Sequence, residues 1–317
     1  GTGAANMPAL TNGDAFGWSV ALDGDLMAIG ARQDSTGGVS RGAVHLFAGV
    51  GADFSGLTWQ KKIASGTGTT VTPVLSDSDS FGLSIALDGD RLAVGAVSDA
   101  TGGTNRGAVH LFTGVGTDFS GLTWQKKLAS GTGATGMPAL ADSHYFGWSV
   151  ALDGDRLAVA AVTDGTAGFS RGAVHLFTGV GSDFSGLTWQ KKLASGAGAI
   201  GMPILADVDW FGSSLALDGD RLAVGAVGDD TGGSGSGAVH LFTGVGTNFA
   251  GLTWQKKLSS GTGAIGMPTL GDSTQFGWSV ALYGDRLAVG TANLTAPTNG
   301  DVVYLFSGIG ADFSGIV

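Results

Sequence analysis

The side chains in this sequence that could do chemistry come in copies. Two carboxylates flank a glycine in Asp23-Gly24-Asp25, and the same triplet returns from Asp88, Asp153 and Asp218. A second acidic series, Asp34, Asp99, Asp164 and Asp229, follows in each case, with Asp230 directly after its last member. Histidines recur as His45, His110, His175 and His240, and a further position carries Trp18, Trp148 and Trp278. Clustered carboxylates suit a hard cation such as calcium, and a carboxylate pair suits glycosidic acid–base work. A ring of imidazoles suits a transition metal. Exposed tryptophans suit the faces of sugars, which adds Trp210 to Trp18, Trp148 and Trp278 as ligand candidates.

The copies are regular. Phe-Gly starts at Phe16, Phe81, Phe146, Phe211 and Phe276, each 65 residues after the last, and A-L-D-G-D follows from Ala21, Ala86, Ala151 and Ala216, with A-L-Y-G-D from Ala281. G-A-V-H-L-F starts at Gly42, Gly107, Gly172 and Gly237, answered by D-V-V-Y-L-F from Asp301; T-W-Q-K-K surrounds Trp59, Trp124, Trp189 and Trp254. A fixed internal period decides architecture before local propensity does. The units run 1–65, 66–130, 131–195, 196–260 and an incomplete 261–317, and they are expected to form a single domain.

Within a unit the pattern is that of strands. Phe16 to Leu22 alternates large Trp18, Val20 and Leu22 with small Ser19 and Ala21, the period of two that a strand requires. Asp23-Gly24 turns the chain, because both central residues of a tight hairpin need positive φ. Leu26 to Ala31 alternates again, a polar loop follows, and strands are expected at Ala43 to Phe47 and from Thr58 to about Ile63. Such a four-stranded sheet is apolar on both faces and cannot bury either alone. Radial stacking of blades buries both, a small-residue face meeting a large-residue face. The expected fold is all-β: a five-bladed β-propeller of four antiparallel strands per blade, the last lacking its outer strand. Lys61-Lys62 and their copies then guard the outermost edge.

Composition agrees. There are 59 glycines, all 26 acidic residues are Asp, and there is no cysteine. That inventory favours turns over helices and excludes disulfides, catalytic thiols and cysteine metal sites. A net charge of −10 argues against nucleic acid or an anionic membrane as partner, and no apolar run is long enough for membrane insertion as a helix. The chain opens with Gly1 rather than Met, so a targeting segment could have been removed.

F-G-W-S-V-A-L-D-G-D-R-L-A-V-A-A-V from Phe146, with G-A-V-H-L-F and T-W-Q-K-K-L-A-S behind it, resembles the FG-GAP repeat of integrin α-chain propellers and of many bacterial extracellular proteins. The resemblance covers essentially the whole chain. It implies an extracellular or cell-surface adhesion propeller, with seven blades in integrins against five units here. Calcium-binding blades of that family carry a longer D-x-D-x-D-G-x-x-D loop between the first two strands. Leu22-Asp23-Gly24-Asp25 offers two carboxylates where calcium needs six to eight oxygens, so Asp there is read as a turn former. The family's G-A-P proline is missing as well, with Gly95-Ala96-Val97 in its place.

Of the remaining acidic residues, Asp229 and Asp230 are the metal candidates, with calcium the cation. The alternative is that Asp34, Asp99, Asp164 and Asp229 order their own loop or pair with Arg41, Arg106 or Arg171 across the hairpin. In the fifth unit N-L-T-A-P-T-N-G replaces that loop. The histidines lie on the third strand, far from the axis and from one another, and Tyr304 keeps only the aromatic body. They are expected to pack with one polar end.

Catalysis needs one asymmetric constellation, whereas nearly every reactive group here is copied. No Gly-Lys-Ser/Thr phosphate loop is present. The expected role is non-enzymatic, with no cofactor: a structural or adhesive scaffold whose partners are other proteins or other copies of itself. The alternative is a lectin-like propeller binding glycans through several weak sites. Gly1 aligns with Gly66 and Gly131, and the sequence stops at Val317, before a fifth T-W-Q-K-K. Either the chain is part of a longer protein, or another molecule completes the last blade by strand addition. The second alternative predicts end-to-end association.

Overall fold

Cross-strand pairing explains why the alternating segments become sheets. Val20 faces Ile29, Ala21 faces Ala28 and Leu22 faces Met27, so large residues meet large ones on one surface and small meet small on the other. The computed structural model describes residues 3–292 and 301–317. The fifth-unit loop N-L-T-A-P-T-N-G and Gly1 lie outside the described residues.

Blade one holds β1 (Phe16–Asp23), β2 (Leu26–Ala31), β3 (Ala43–Ala48) and β4 (Thr58–Ile63). Blade two holds β5 (Phe81–Asp88), β6 (Arg91–Ala96), β7 (Ala108–Thr113) and β8 (Thr123–Ala129). Blade three holds β9 (Phe146–Asp153), β10 (Arg156–Ala161), β11 (Ala173–Thr178) and β12 (Thr188–Leu193). Blade four holds β13 (Phe211–Asp218), β14 (Arg221–Ala226), β15 (Ala238–Thr243) and β16 (Thr253–Leu258). Blade five holds β17 (Ser279–Tyr283), β18 (Arg286–Gly290) and β19 (Val303–Phe306). Strands follow chain order within each sheet. The fold class is the expected all-β propeller of five blades, four of four strands and the last of three. Among the described residues none is helical, so none forms a helix long and apolar enough to cross a membrane.

The chain divides into two compact units, one of Gly1–Asp155 with Gly179–Thr188, the other of Arg156–Thr178 with Trp189–Val317. This division does not follow the 65-residue period. Within the first, Ala28, Val44, Leu46 and Ile63 of blade one share a core with Ile85, Leu87, Val94 and Phe119 of blade two. Within the second, Ala223, Val239, Leu241 and Leu258 of blade four share one with Leu287, Val289, Phe306 and Phe313 of blade five. The small-residue face of one blade therefore receives the large-residue face of the next, as the alternation predicts.

Main chain as well as side chain holds these seams. Gly42 bridges Phe81, Gly107 bridges Phe146 and Gly237 bridges Phe276, each in parallel sense across a blade junction. Gly107 has φ +81° and Gly147 has φ +91°. A Cβ on Gly107 would overlap the Phe146 carbonyl oxygen, and one on Gly147 would stand 2.5 Å from the Ala108 oxygen. The two glycines of Phe-Gly and Gly-Ala-Val thus let backbones touch, a use only glycine serves. Ser84 on the small face donates its hydroxyl to the Gly147 carbonyl at 2.7 Å, and Ser214 does the same to Gly277.

Lysine is only part of how the outer edge is managed. The segment leading into each unit lies along the start of its fourth strand: Ala5 pairs with Thr58, Thr135 with Thr188 and Ile200 with Thr253. Covering an edge removes unpaired N–H and C=O groups that would otherwise recruit another sheet.

Candidate functional site

The D-G-D triplet is where sequence and geometry meet most closely. Its glycine takes the turn, with φ +55° at Gly24 and +58° at Gly154. Its first carboxylate reaches the neighbouring blade: Asp23 accepts the Gly89 amide at 2.6 Å, Asp88 that of Gly154 at 2.9 Å and Asp218 that of Gly284 at 3.0 Å. Its second holds the glycine-rich turn after the third strand of its own blade. Asp90 accepts from Gly114 at 3.0 Å and Gly116 at 2.8 Å, and Asp220 from Gly244 and Gly246 at 2.9 and 2.7 Å. Arg91 pairs with Asp88 and also donates to the Gly154 carbonyl of the next turn. Both carboxylates are therefore structural ties, one between blades and one within a blade, which is more than the turn-forming role expected of them.

The second acidic series does order its own loop. Asp34 accepts the Thr36 amide at 2.8 Å and takes Lys62 at 3.2 Å, and Asp99 treats Thr101 and Lys127 the same way. Burial by itself would raise these carboxyls, but the hydrogen bonds from Thr36 or Thr101 and the lysine charge outweigh it and hold both below the ordinary value. The expected partnership with arginine is corrected. Arg41 pairs instead with Asp77, Arg106 with Asp142 and Arg171 with Asp207, each at 2.7 Å and each in the following repeat. The lysine of the fourth strand is the base that reaches the buried loop carboxylate, so the arginine is left to bridge outward. Replacing Asp99 by alanine is expected to cost about 2 kcal/mol, by stranding the Thr101 amide and a half-buried ammonium. Asp142→Ala, which breaks a pair half open to water, should cost less than about 1 kcal/mol. Urea denaturation of the two variants checks the order.

Asp229 and Asp230 are individually engaged. Asp229 accepts from the Thr231 amide at 2.8 Å and from Lys257 at 2.9 Å, and Asp230 accepts the Gly235 amide at 2.6 Å. Among the described residues no group of three or more His, Cys, Asp or Glu side chains is placed to hold a metal ion.

The repeated histidines are buried, each paired with the tryptophan of its own blade. Trp124 donates its indole N–H to Nδ1 of His110 at 3.2 Å, Trp59 to His45 at 3.3 Å and Trp254 to His240 at 3.2 Å. That bond makes Nδ1 the acceptor and leaves the proton on Nε2. Each of these imidazoles stands edge-to-face with the phenylalanine of Phe-Gly, centroids 5.3–5.4 Å apart, and Tyr304 meets Phe276 in the same way at 5.5 Å. Burial pushes His45, His110 and His240 down to about 4, so they are neutral at ordinary pH. A packed side chain with one polar end is what they are.

The tryptophan candidates sit apart in character. Trp18 is exposed in β1, with the Arg32 guanidinium 3.9 Å over its ring. Trp148 is half-buried and edge-on to Tyr145, centroids 6.5 Å apart. Trp210, at φ +53°, and Trp278 are both partly exposed. A hollow of about 850 Å³ opens in blade one, lined in part by Asp14, Asp34, His45, Trp59, Lys61 and Lys62. Sequence reasoning missed Asp14 and its copy Asp79 beneath the Phe-Gly turn; burial pushes Asp79 up to about 6. Their signal was the repeated Asp two residues before Phe-Gly, present in three units as Asp14, Asp79 and Asp209, with His144 and Thr274 at that position in the others.

With Phe-Gly, the strand-two run and the strand-three run now seen to form the blade junctions, similarity to known proteins can be judged on those features. The family model described as FG-GAP repeat matches residues 10–47, 74–112, 140–177 and 205–242. The chain is an FG-GAP repeat protein. Each matched stretch ends within or beside the third strand, and the fifth repeat lies outside the matches. No curated protein matches the chain. Among solved structures, FG-GAP repeats arranged as here are similar to a xylan β-1,4-xylosidase from Bacillus halodurans C-125 at 13% identity and TM-score 0.44, covering 91% of this chain and 52% of that one. They are also similar to Sqt1 from Chaetomium thermophilum at 14% identity and TM-score 0.44, covering 95% and 71% respectively. The FG-GAP chain spans about half the length of the xylosidase it matches.

Proposed function

We propose that this FG-GAP protein is a non-enzymatic, extracellular scaffold of structural or adhesive type that presents variable loops to a protein partner. One observation carries the reading. The groups able to do chemistry are tied into the frame in the first four repeats, while the side chains shown to solvent change from repeat to repeat. Val39, Thr104, Phe169 and Ser234 occupy one loop position, and Val74, Ala139, Ile204 and Thr269 another; Phe169, Val74 and Ile204 are more than two-thirds exposed. A rigid frame with a changing apolar surface is what recognition of a protein requires. The location is in keeping with the extracellular habit of FG-GAP repeats.

The test is adhesion of the labelled chain to cell surfaces treated beforehand with protease or, separately, with periodate. Protease treatment is expected to abolish binding and periodate to leave it. The reverse pattern would replace this reading by the lectin-like one, with Trp18, Trp148, Trp210 and Trp278 as the residues to substitute first.

A further inference from the structure

One rim of the second compact unit breaks the repeat at four positions together. Phe169, Ile204, Val208 and Trp210 are 72%, 77%, 40% and 38% exposed. The main chain gathers them: the Phe169 carbonyl accepts the Val208 amide at 2.9 Å, and the Ser170 carbonyl accepts that of Trp210 at 3.3 Å. The Ser195 hydroxyl oxygen accepts from the Leu205 amide at 2.8 Å and from Arg171 at 3.4 Å, which sets Ile204 beside them. No other junction is apolar at all four positions: Ser78 and Ser80 interrupt one, Thr104 and Ser143 a second, Ser273 and Gln275 a third. Val208 is strained as well. Its φ is +62°, a left-handed setting that β-branched residues avoid, and the other units place Gly13 or a serine there. Strain kept at an exposed position points to use rather than packing.

The charges beside this patch also depart from the repeat. The Gly228 amide donates at 3.1 Å to the carbonyl of Asp209, which lies between Val208 and Trp210. Asp230 follows two residues on, where other units have Ser35, Ala100 and Gly165. Burial lifts the Asp209 carboxyl to about 6 and the Asp230 charge adds to the lift, so this carboxylate borders the apolar patch. Further along the same loop Ser236 replaces the arginine that pairs with Asp77, Asp142 and Asp207 elsewhere. Asp272, next in that series, accepts the Ser234 amide at 3.0 Å, and Asp230 accepts that of Gly235 at 2.6 Å. Both are exposed, and among the described residues neither meets a lysine or arginine, Lys257 being taken by Asp229.

We infer that this rim docks a basic, apolar segment of a partner protein, seating an aromatic or branched side chain among Phe169, Ile204, Val208 and Trp210 with a lysine or arginine over Asp230. Exposed apolar patches edged by polar groups are the kind of surface that marks an interaction site. Charge complementarity selects the occupant. Carboxylates without a cation, on a chain of net charge −10, attract a cationic partner and repel a second copy. A glycan suits the patch less, because its hydroxyls need free donors and acceptors, and Arg171 and Asp207 already hold each other. The inference rests on the scaffold reading and gives its partner a chemistry and a place.

Selection of random phage-displayed peptides on the full chain tests it, with depletion on a variant carrying Phe169→Thr, Ile204→Ala and Val208→Gly. Each substitution installs what another unit has at that position, namely Thr104, Ala139 and Gly13. The triple variant should therefore keep the wild-type circular dichroism, and Val208→Gly alone should melt no lower than wild type, since it releases strain. Enriched peptides are expected to combine aromatic or branched residues with lysine or arginine. By fluorescence anisotropy they should bind the triple variant about tenfold more weakly. Asp230→Ala with Asp272→Asn should weaken them about fivefold, a difference that high salt removes. No enrichment, enrichment of acidic or uncharged peptides, or equal affinity for the triple variant overturns the inference. Self-association of wild type that the triple variant loses overturns it in favour of a second copy. Periodate-sensitive, protease-resistant adhesion lost in the triple variant overturns it in favour of a glycan. Protease-sensitive adhesion that the triple variant keeps in full would leave the scaffold reading standing without this site, whereas peptide binding by a chain that adheres to no cell surface would sink the scaffold reading and keep the site.

Discussion

Gly107→Ala is expected to destabilise the protein by at least about 4 kcal/mol, enough to leave a chain of ordinary stability largely unfolded. Two penalties combine. Alanine at φ +81° is strained by about 1–2 kcal/mol, and its methyl would overlap the carbonyl oxygen and amide nitrogen of Phe146 on the facing backbone. Backbone cannot rotate aside as a side chain can, so the bridge between blades two and three has to open. Gly154→Ala is the control, because Gly154 also has positive φ, +58°, but has nothing within 4 Å of a Cβ. That variant should show the conformational strain alone. Thermal and urea unfolding of both separates the contributions, and similar losses at the two sites would mean that the close approach at Gly107 adds nothing.

Acid should weaken the fold well before carboxylates as a class are protonated. His45, His110 and His240 are lowered to about 4 by burial first, with the nearby lysine charge adding to it. Below pH 6.5 the unfolded chain takes up protons that the folded chain refuses, so stability is full above 6.5 and falls as pH drops towards 4. Each histidine contributes a slope of up to about 1.4 kcal/mol per pH unit. Asp79 and Asp209 work in the opposite direction. Burial raises both to about 6, so between 6 and 4 the folded chain holds protons that the unfolded chain releases, which partly offsets the histidines. The clean measurement is therefore a difference between proteins. His110→Gln combined with His240→Gln keeps an acceptor for each indole and removes both titrations. Between pH 4.5 and 6 its stability should slope less steeply with pH than wild type by up to about 3 kcal/mol per unit, equivalent to two protons fewer on unfolding. Equal slopes would show that these imidazoles already titrate normally in the fold.

What the sequence made legible is what lies inside one blade. Alternation and the Asp-Gly turn located β1, β2 and β4 closely, with β3 running one residue further, to Ala48. They also distinguished the small from the large face. His45 was legible as a packed residue because its fifth copy is Tyr304, which keeps an aromatic ring and nothing that could ligate in the same way. The links between blades were not legible, for a reason built into the repeat. Arg41 could pair with an Asp of its own unit or with one of the next, and since each unit carries both, spacing alone cannot separate the choices. The same ambiguity hid the partner of Asp23, which is Gly89 rather than its own turn glycine Gly24. Glycine recurrence between copies was visible in Phe-Gly and Gly-Ala-Val, but that Gly107 meets the Phe146 backbone and Gly147 the Ala108 backbone across one junction is a fact of three dimensions. At one position the repeat itself varies: Ala160 stands where other units have Gly30, Gly95, Gly225 and Gly290, and a Cβ on the facing Gly212 would lie 2.7 Å from the Ala160 methyl. The remaining glycine absorbs the difference.

The uniform seam has a consequence for how such a gene can change. Since Gly107 meets Phe146 as Gly42 meets Phe81 and Gly237 meets Phe276, unequal recombination between copies that inserts or removes whole units joins a small face to a large face every time. No new contact has to be invented. The number of repeats can then change without disturbing the seams that remain, while a substitution at Gly42, Gly107 or Gly237 would open the junction it sits in.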